Sequence, residues 1–300
     1  ALCLCVCLLT LGLCGRMEAA EVVDSGSCGE SLTWSLDGDG VLTIRGTGEM
    51  ADYQPWAGNR WKIESVVVEP GVTSIGEFYD CSALTSIVLP ANITSIGQSA
   101  FSGCSSLVRI TLPARLREIS DNTFTDCSTL QTITIPQGVT SIGYSAFDGC
   151  SGLTNVTIPD GVTSIGETAF YSCSSLQQIT LPDSLTSLGR SVFSDCSSLE
   201  RIVIPARVTG IPSAAFWGCT NLKSVTLPDD IDWIGEDAFR NCVNLEQITL
   251  PDGLWEINNS VFQGCSSLKS IELPDSVTSI GASAFRDCSS LQRVTLSRSL

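Results

Sequence analysis

Apolar residues along this chain return at one fixed long step. Eleven units begin at Ile63, Leu84, Leu107, Leu130, Leu153, Leu176, Leu199, Leu222, Leu245, Leu268 and Leu291. Written from that residue, a unit reads L-x-x-I-x-L-P-x-x-V-T-S-I-G-x-x-A-F-x-x-C-S-S, and residues 153–175 follow it closely. Cysteines recur at 81, 104, 127, 150, 173, 196, 219, 242, 265 and 288, every step being 23 residues. All ten phenylalanines, from Phe78 to Phe285, keep that step, and so do the prolines from Pro90 to Pro274. The first unit is two residues short, between Gly76 and Phe78. A fixed period of this size means a solenoid, in which each unit buries its apolar face against the next and none folds alone.

Within a unit the spacing assigns the walls. Leu107, Ile110 and Leu112 stand at i, i+3 and i+5, the leucine-rich-repeat spacing of a short inward-facing strand. Pro113 ends it, having no N–H for a ladder bond. Leu116 and Ile119 turn inward from a second extended stretch, and Gly97, Gly143, Gly166 and Gly281 close that stretch where an unusual backbone angle is expected. Ala-Phe-x-x-Cys follows as a single helical or 3₁₀ turn on the opposite wall. The predicted fold is a repeat solenoid: a leucine-rich-repeat-like, β-rich, right-handed coil of 23-residue units with short strands and single helical turns. A small β cap precedes it.

That cap is read from Cys28 to Leu36, which alternates apolar and polar, and from the return of Val41 to Ile44 after Asp37-Gly38-Asp39-Gly40. The pattern is a β-hairpin. Asp37 and Asp39 also fit the opening of a calcium loop, but Val41 takes its fifth position and no Glu its twelfth, so a turn is the better reading. The cap would cover the open end of the stack. Residues 1–15 form an apolar run too short for a spanning helix, followed by Arg16 and Glu18. They read as the core of a secretory signal lacking its start, with a cut near Ala19-Ala20. Leu13 is too large for the residue before a lipidated Cys14. The expected organisation is residues 1–20 signal peptide, 21–62 cap, and 63–300 solenoid of ten units and a partial eleventh, with any membrane anchor outside this piece.

Composition narrows the chemistry. The 300 residues carry 32 acidic and 16 basic side chains, a net charge of −16, which argues against a nucleic-acid surface. There is no histidine, which removes His-dependent nucleophiles, general bases and metal sites. With no C-x-x-C either, no metal and no cofactor is expected. One cysteine per coil builds a ladder of parallel Cβ vectors, ill-suited to disulfides, so buried thiols are expected. Cys28 stands outside the series; a free thiol and a pairing near the first coil both fit. Paired carboxylates such as Asp229 and Asp232 are the one trace of catalytic chemistry, and solvated acidic loops are their ordinary state. The chain is read as a non-enzyme.

The unit I-x-L-P-x-x-V-T-S-I-G-x-x-A-F-x-x-C resembles the BspA-like leucine-rich repeat surface proteins. The segment ahead of it, with Cys28-Gly29-Glu30-Ser31-Leu32-Thr33-Trp34, Gly46-Thr47-Gly48-Glu49-Met50, Pro55-Trp56 and Gly71-Val72-Thr73-Ser74-Ile75-Gly76, is similar to the one common before such repeats. The resemblance covers about residues 28 to 300. It implies export by a bacterium or parasitic protist, a place at the cell surface or outside the cell, and adhesion to host matrix, host cells or other microbes. It carries no catalytic residues. The asparagine ladder of the wider leucine-rich class is absent here.

A partner, an extracellular protein or glycan, is expected on the outward strand positions. One column runs Val88, Thr111, Thr134, Thr157, Thr180, Val203, Thr226, Thr249, Glu272 and Thr295; beside it stand Arg109, Thr132, Asn155, Gln178, Arg201, Ser224, Gln247, Ser270 and Arg293. Threonine is also a good exposed strand former, so both readings of the column stay open. Trp217, Trp233 and Trp255 break three consecutive units, the last two in Ser and Thr slots that should be exposed. A recognition patch and local drift of the repeat both account for them. Asn92, Asn155 and Asn258 open glycosylation sequons, which matter only in a eukaryotic secretory pathway. The leading function is an exported adhesin; a spacer presenting another domain is the alternative.

Overall fold

The computed structural model describes residues 20–300. The expected signal peptide lies outside them but for its last residue. The chain opens with β1 (Val22–Gly29), β2 (Leu32–Asp37) and β3 (Val41–Gly46), an antiparallel meander. The expected hairpin thus gains a strand, because Glu30 and Ser31 turn the chain where an unbroken run to Leu36 was expected. Asp37 closes the second turn: its Oδ1 accepts from the N–H of Asp39 and Val41 at 3.0 and 2.9 Å. β3 pairs in parallel with β4 (Ser65–Val68), and β4 with Ser86–Val88, so the cap sheet runs into the first coils.

From there the chain winds in coils. Most have a three-residue strand such as Thr132–Thr134 and a two-residue strand such as Ser141–Ile142. Both pair in parallel, in register, with the residues 23 away, as in Ile133 on Ile110 and Ile142 on Ile165. The Pro-x-x-Val corner between them closes with a Val139 N–H to Pro136 carbonyl bond of 3.0 Å. The first strands alternate exposed, buried, exposed, so their central Ile or Val enters the shared core. Ring centroids of successive phenylalanines, Phe78 to Phe285, lie 5.1–5.8 Å apart in one stack. Trp56 extends the stack at 4.9 Å from Phe78, and Trp34 closes it edge-on.

The third wall takes the tighter of its two expected forms. Ala-Phe-x-x-Cys is a string of i→i+3 turns, Cys150 N–H to Phe147 carbonyl being one, and no continuous helical turn. From Phe101 to Phe285 the residues two before and two after each phenylalanine stand at positive φ, as Ser145 (47°) and Gly149 (70°) do around Phe147. Alternating hands aims every second N–H at the next coil, where a helix would aim it along its own axis. Ser145, Phe147 and Gly149 therefore donate to the Glu167, Ala169 and Tyr171 carbonyls at 2.8–2.9 Å.

The closing glycines also have a different cause. Gly97, Gly143, Gly166 and Gly281 are not among the positive-φ glycines. A Cβ on Gly166 would stand 2.6 Å from the Gly143 carbonyl carbon, and one on Gly143 2.7 Å from the Asp121 nitrogen. The requirement is close approach of backbones. Three coils carry Ser120, Pro212 or Asn258 in that slot, and at those three coils both ladders to the preceding coil lapse. Ser120 Oγ and Asn258 Nδ2 reach back to the Ile96 and Ile234 carbonyls, at 2.8 and 2.9 Å, replacing the lost backbone bond.

The repeat cysteines are free, and all but Cys288 are buried. Each thiol from Cys104 to Cys288 donates to the phenylalanine carbonyl of the preceding coil, at 3.0–3.3 Å. Cys28 is free and buried. Among the described residues no helix is long and apolar enough to cross a membrane.

Candidate binding face

The first strands set their outer positions side by side about 4.8 Å apart, the spacing of paired strands. Thr111, Thr134, Thr157, Thr180, Thr226 and Thr249 form one exposed column, with Arg109 and Arg201 exposed beside it. Trp233 and Trp255 belong elsewhere, on the second extended stretch, 40% and 51% exposed. Trp217 is on the turn wall, half-buried beside Phe216. The structure thus brings the threonines and arginines together and puts the tryptophans on two other walls.

Hydroxyl partners distinguish the threonine columns. In the V-T-S-I slot, Thr94, Thr140, Thr163, Thr186 and Thr278 donate to the carbonyl of the same slot one coil earlier, at 3.0–3.4 Å. The serine after the cysteine does likewise on several coils: Ser151 Oγ reaches the Ser128 carbonyl at 3.4 Å and Ser197 Oγ the Ser174 carbonyl at 3.3 Å. These recurrences hold the stack together. Among the described residues, the hydroxyls of the first-strand column, Thr111 to Thr249, take no protein partner.

Residues just before the strands add a feature that composition conceals. Glu200, Lys223, Glu246 and Lys269 stack with alternating sign on successive coils. Lys223 pairs with Glu200 at 3.3 Å and Lys269 with Glu246 at 2.6 Å. The Lys269 hydrogen bond and charge, with Lys223 beyond, hold the Glu246 carboxyl below the usual range. The signal was present as opposite charges at a 23-residue step.

The strand face deepens where Gln247, Ile248 and Thr249 form no regular strand. A groove of about 720 Å³ opens there, lined by Ser224, Thr226, Gln247, Thr249, Asp252, Ser270, Glu272, Arg293 and Thr295 over the buried Val225, Ile248 and Ile271. Hydroxyls, an amide and charges of both signs converge, the chemistry of polar recognition. Asp229 and Asp232 are exposed outside it. Among the described residues no group of three or more His, Cys, Asp or Glu is arranged to hold a metal ion. Of the sequon asparagines, Asn92 and Asn258 spend their amides on inter-coil carbonyls, while Asn155 is exposed on the strand face.

Comparison with known proteins agrees with this architecture. Residues 58–154, 141–265 and 189–300 match the family described as BspA type leucine rich repeat region, in six copies. A leucine-rich repeat protein of Bacteroides ovatus is 27% identical, over 90% of this chain and 88% of that one, with a TM-score of 0.64. A leucine rich cell surface protein of Faecalibacterium prausnitzii is 28% identical, over 94% and 97%, with a TM-score of 0.55. A leucine-rich repeat protein of Eubacterium ventriosum is 25% identical, over 88% and 94%, with a TM-score of 0.50. Among curated proteins none matches the chain. With the coil geometry and most of the sequence in agreement, the chain belongs to the BspA-type leucine-rich repeat family.

Proposed function

We propose that this chain is an exported, non-enzymatic surface-binding protein, an adhesin whose first-strand face receives proteins or glycans of host matrix, host cells or other microbes. Proteins of this family are generally secreted or surface-held, and leucine-rich repeat proteins generally bind proteins. One observation carries the reading: the recurrent threonines of the V-T-S-I slot are consumed in inter-coil bonds, whereas the Thr111–Thr249 column presents free hydroxyls on a regular face. A hydroxyl ladder with a groove at one end suits an extended partner crossing several coils. The leader at residues 1–20, the cap at 21–62 and the solenoid at 63–300 belong to the same reading. A spacer that carries another domain is the second reading, favoured by the unbroken aromatic stack.

Capture of the full chain on immobilised matrix proteins and on host or microbial cells tests this. Val88 and Val203 already occupy the column, so Thr134→Val, Thr157→Val and Thr180→Val together remove hydroxyls without disturbing the strand. We expect binding to fall about tenfold or more, at about 0.5–1.5 kcal/mol per lost hydrogen bond. Unchanged capture by the triple variant discards the column. No capture by the natural chain on any surface replaces the adhesin with the spacer.

A further inference from the structure

The second extended stretch carries a surface of different chemistry. Trp233 pairs in register with Gly210 of the preceding coil, and a Cβ on Gly210 would collide with the indole. The indole therefore sits against that glycine, where no side chain intervenes, and is still 40% exposed. Trp255 stands one coil further on, in the slot next to Asp232, while Trp233 stands next to Glu256. Indoles and carboxylates thus alternate on two adjacent coils. These are the coils between which both ladders lapse, Asn258 having replaced the closing glycine.

Charge decides what this surface would receive. Asp229, Asp230, Asp232, Glu236, Asp252 and Glu256 take part in no ion pair among the described residues. Lys223 and Arg240 are the only cations between residues 208 and 268, and both are committed, to Glu200 and Asp237. A partner's anions would meet repulsion here. Its ammonium or guanidinium groups would meet two exposed indoles flanked by unneutralised carboxylates.

We infer that the Trp233–Trp255 surface is a second docking site, separate from the threonine column, for an extended cationic polypeptide segment bearing lysine or arginine. Cation–π contact on the two indoles supplies specificity, and the carboxylates supply attraction. The inference is independent of the adhesin reading, because it concerns another wall and another partner chemistry.

The test uses the full chain and a short lysine–glycine copolymer peptide, followed by tryptophan fluorescence and calorimetry at physiological and high ionic strength. Diffuse attraction to a chain of net charge −16 is the competing explanation. Trp233→Ser with Trp255→Thr leaves that charge unchanged and restores the residues the repeat otherwise uses. We expect this variant to bind the peptide about tenfold more weakly, to lose the fluorescence change, and to differ most from the natural chain at high salt. Trp255→Thr alone, which regains the slot's inter-coil hydroxyl bond, gives an intermediate loss and guards against misfolding of the double variant. Equal affinity for the natural chain and the double variant overturns the site. So does a response to a neutral oligosaccharide with none to the peptide, since that assigns the indoles to sugar stacking. Retained peptide binding by the triple threonine-to-valine variant separates this site from the strand face; its loss there overturns the separation.

Discussion

Cys150 shows how one residue serves two needs. Its sulfur fills the core between coils, and its proton satisfies the Phe124 carbonyl at 3.1 Å. Alanine would lose both and serine would bring a more polar group, so cysteine recurs without disulfide or metal chemistry. Burial pushes the thiols up from the ordinary 9.0: Cys28 to about 11, Cys81 to about 12, and Cys150 and Cys173 well above 9.0. The folded chain therefore keeps protons that the unfolded chain gives up. Below pH 9 the stabilisation is complete; above it, stability falls as pH rises toward the folded-state values, by about 1.4 kcal/mol per pH unit for each buried thiol. A steep alkaline unfolding is expected, with urea midpoints dropping sharply from pH 9 upward. Cys150→Ala with Cys173→Ala should be less stable at pH 7, by about 1–3 kcal/mol each, yet have a shallower alkaline slope. Equal midpoints at pH 8 and pH 10 in the natural chain would contradict this account.

At the scale of the strand and turn, the slot after V-T-S-I controls how closely coils approach. Glycine lets the amide of residue 166 reach the Ile142 carbonyl at 2.8 Å, whereas Ser120 and Asn258 reach their carbonyls through side chains. Gly166→Ser should therefore create a new lapse, opening both ladders between the coils of Ser141–Ile142 and Ser164–Ile165. Hydrogen exchange of the Thr163 and Asn155–Thr157 amides should rise, with a loss of about 1–3 kcal/mol from overpacking. Unaltered exchange there means the lapses have another origin. The strands, the period and the buried thiols were legible in the sequence because burial follows spacing alone. The alternating hand of the turn wall was not, because its positive-φ positions are filled by Ser, Thr, Asp, Asn and even Ala214, and only Gly103, Gly149, Gly218 and Gly264 betray them. The threonine column was legible as a list of outward residues. That its hydroxyls are free, while those of Thr140 or Thr163 are not, depends on where a neighbouring coil's carbonyl points, and no periodicity encodes that.

For the whole molecule, the aromatic stack makes stability a nearest-neighbour property. Phe170 touches only the rings of its two neighbouring coils, Phe147 at 5.1 Å and Phe193 at 5.8 Å. The stack is covered at its start by Trp56 and Trp34, while Phe285 is only partly buried at the far end. In such an array each coil is worth its own folding cost plus two interfaces, so a defect's position should matter as much as its size. Phe170→Ala removes a fully buried ring in the middle, at about 3–5 kcal/mol, and weakens interfaces on both sides. It should divide one unfolding transition into two, the Trp34–Trp56 end reporting its own by fluorescence. Phe285→Ala removes a ring that packs on one neighbour and should fray the last coils, leaving the main transition within about a degree or two. If both substitutions lower a single transition by the same amount, the coils are coupled over a longer range than ring-on-ring contact supplies, and the backbone ladders must carry that coupling. The lapses at Ser120, Pro212 and Asn258 would then mark where a divided transition separates, which Phe170→Ala combined with Asn258→Gly can read directly.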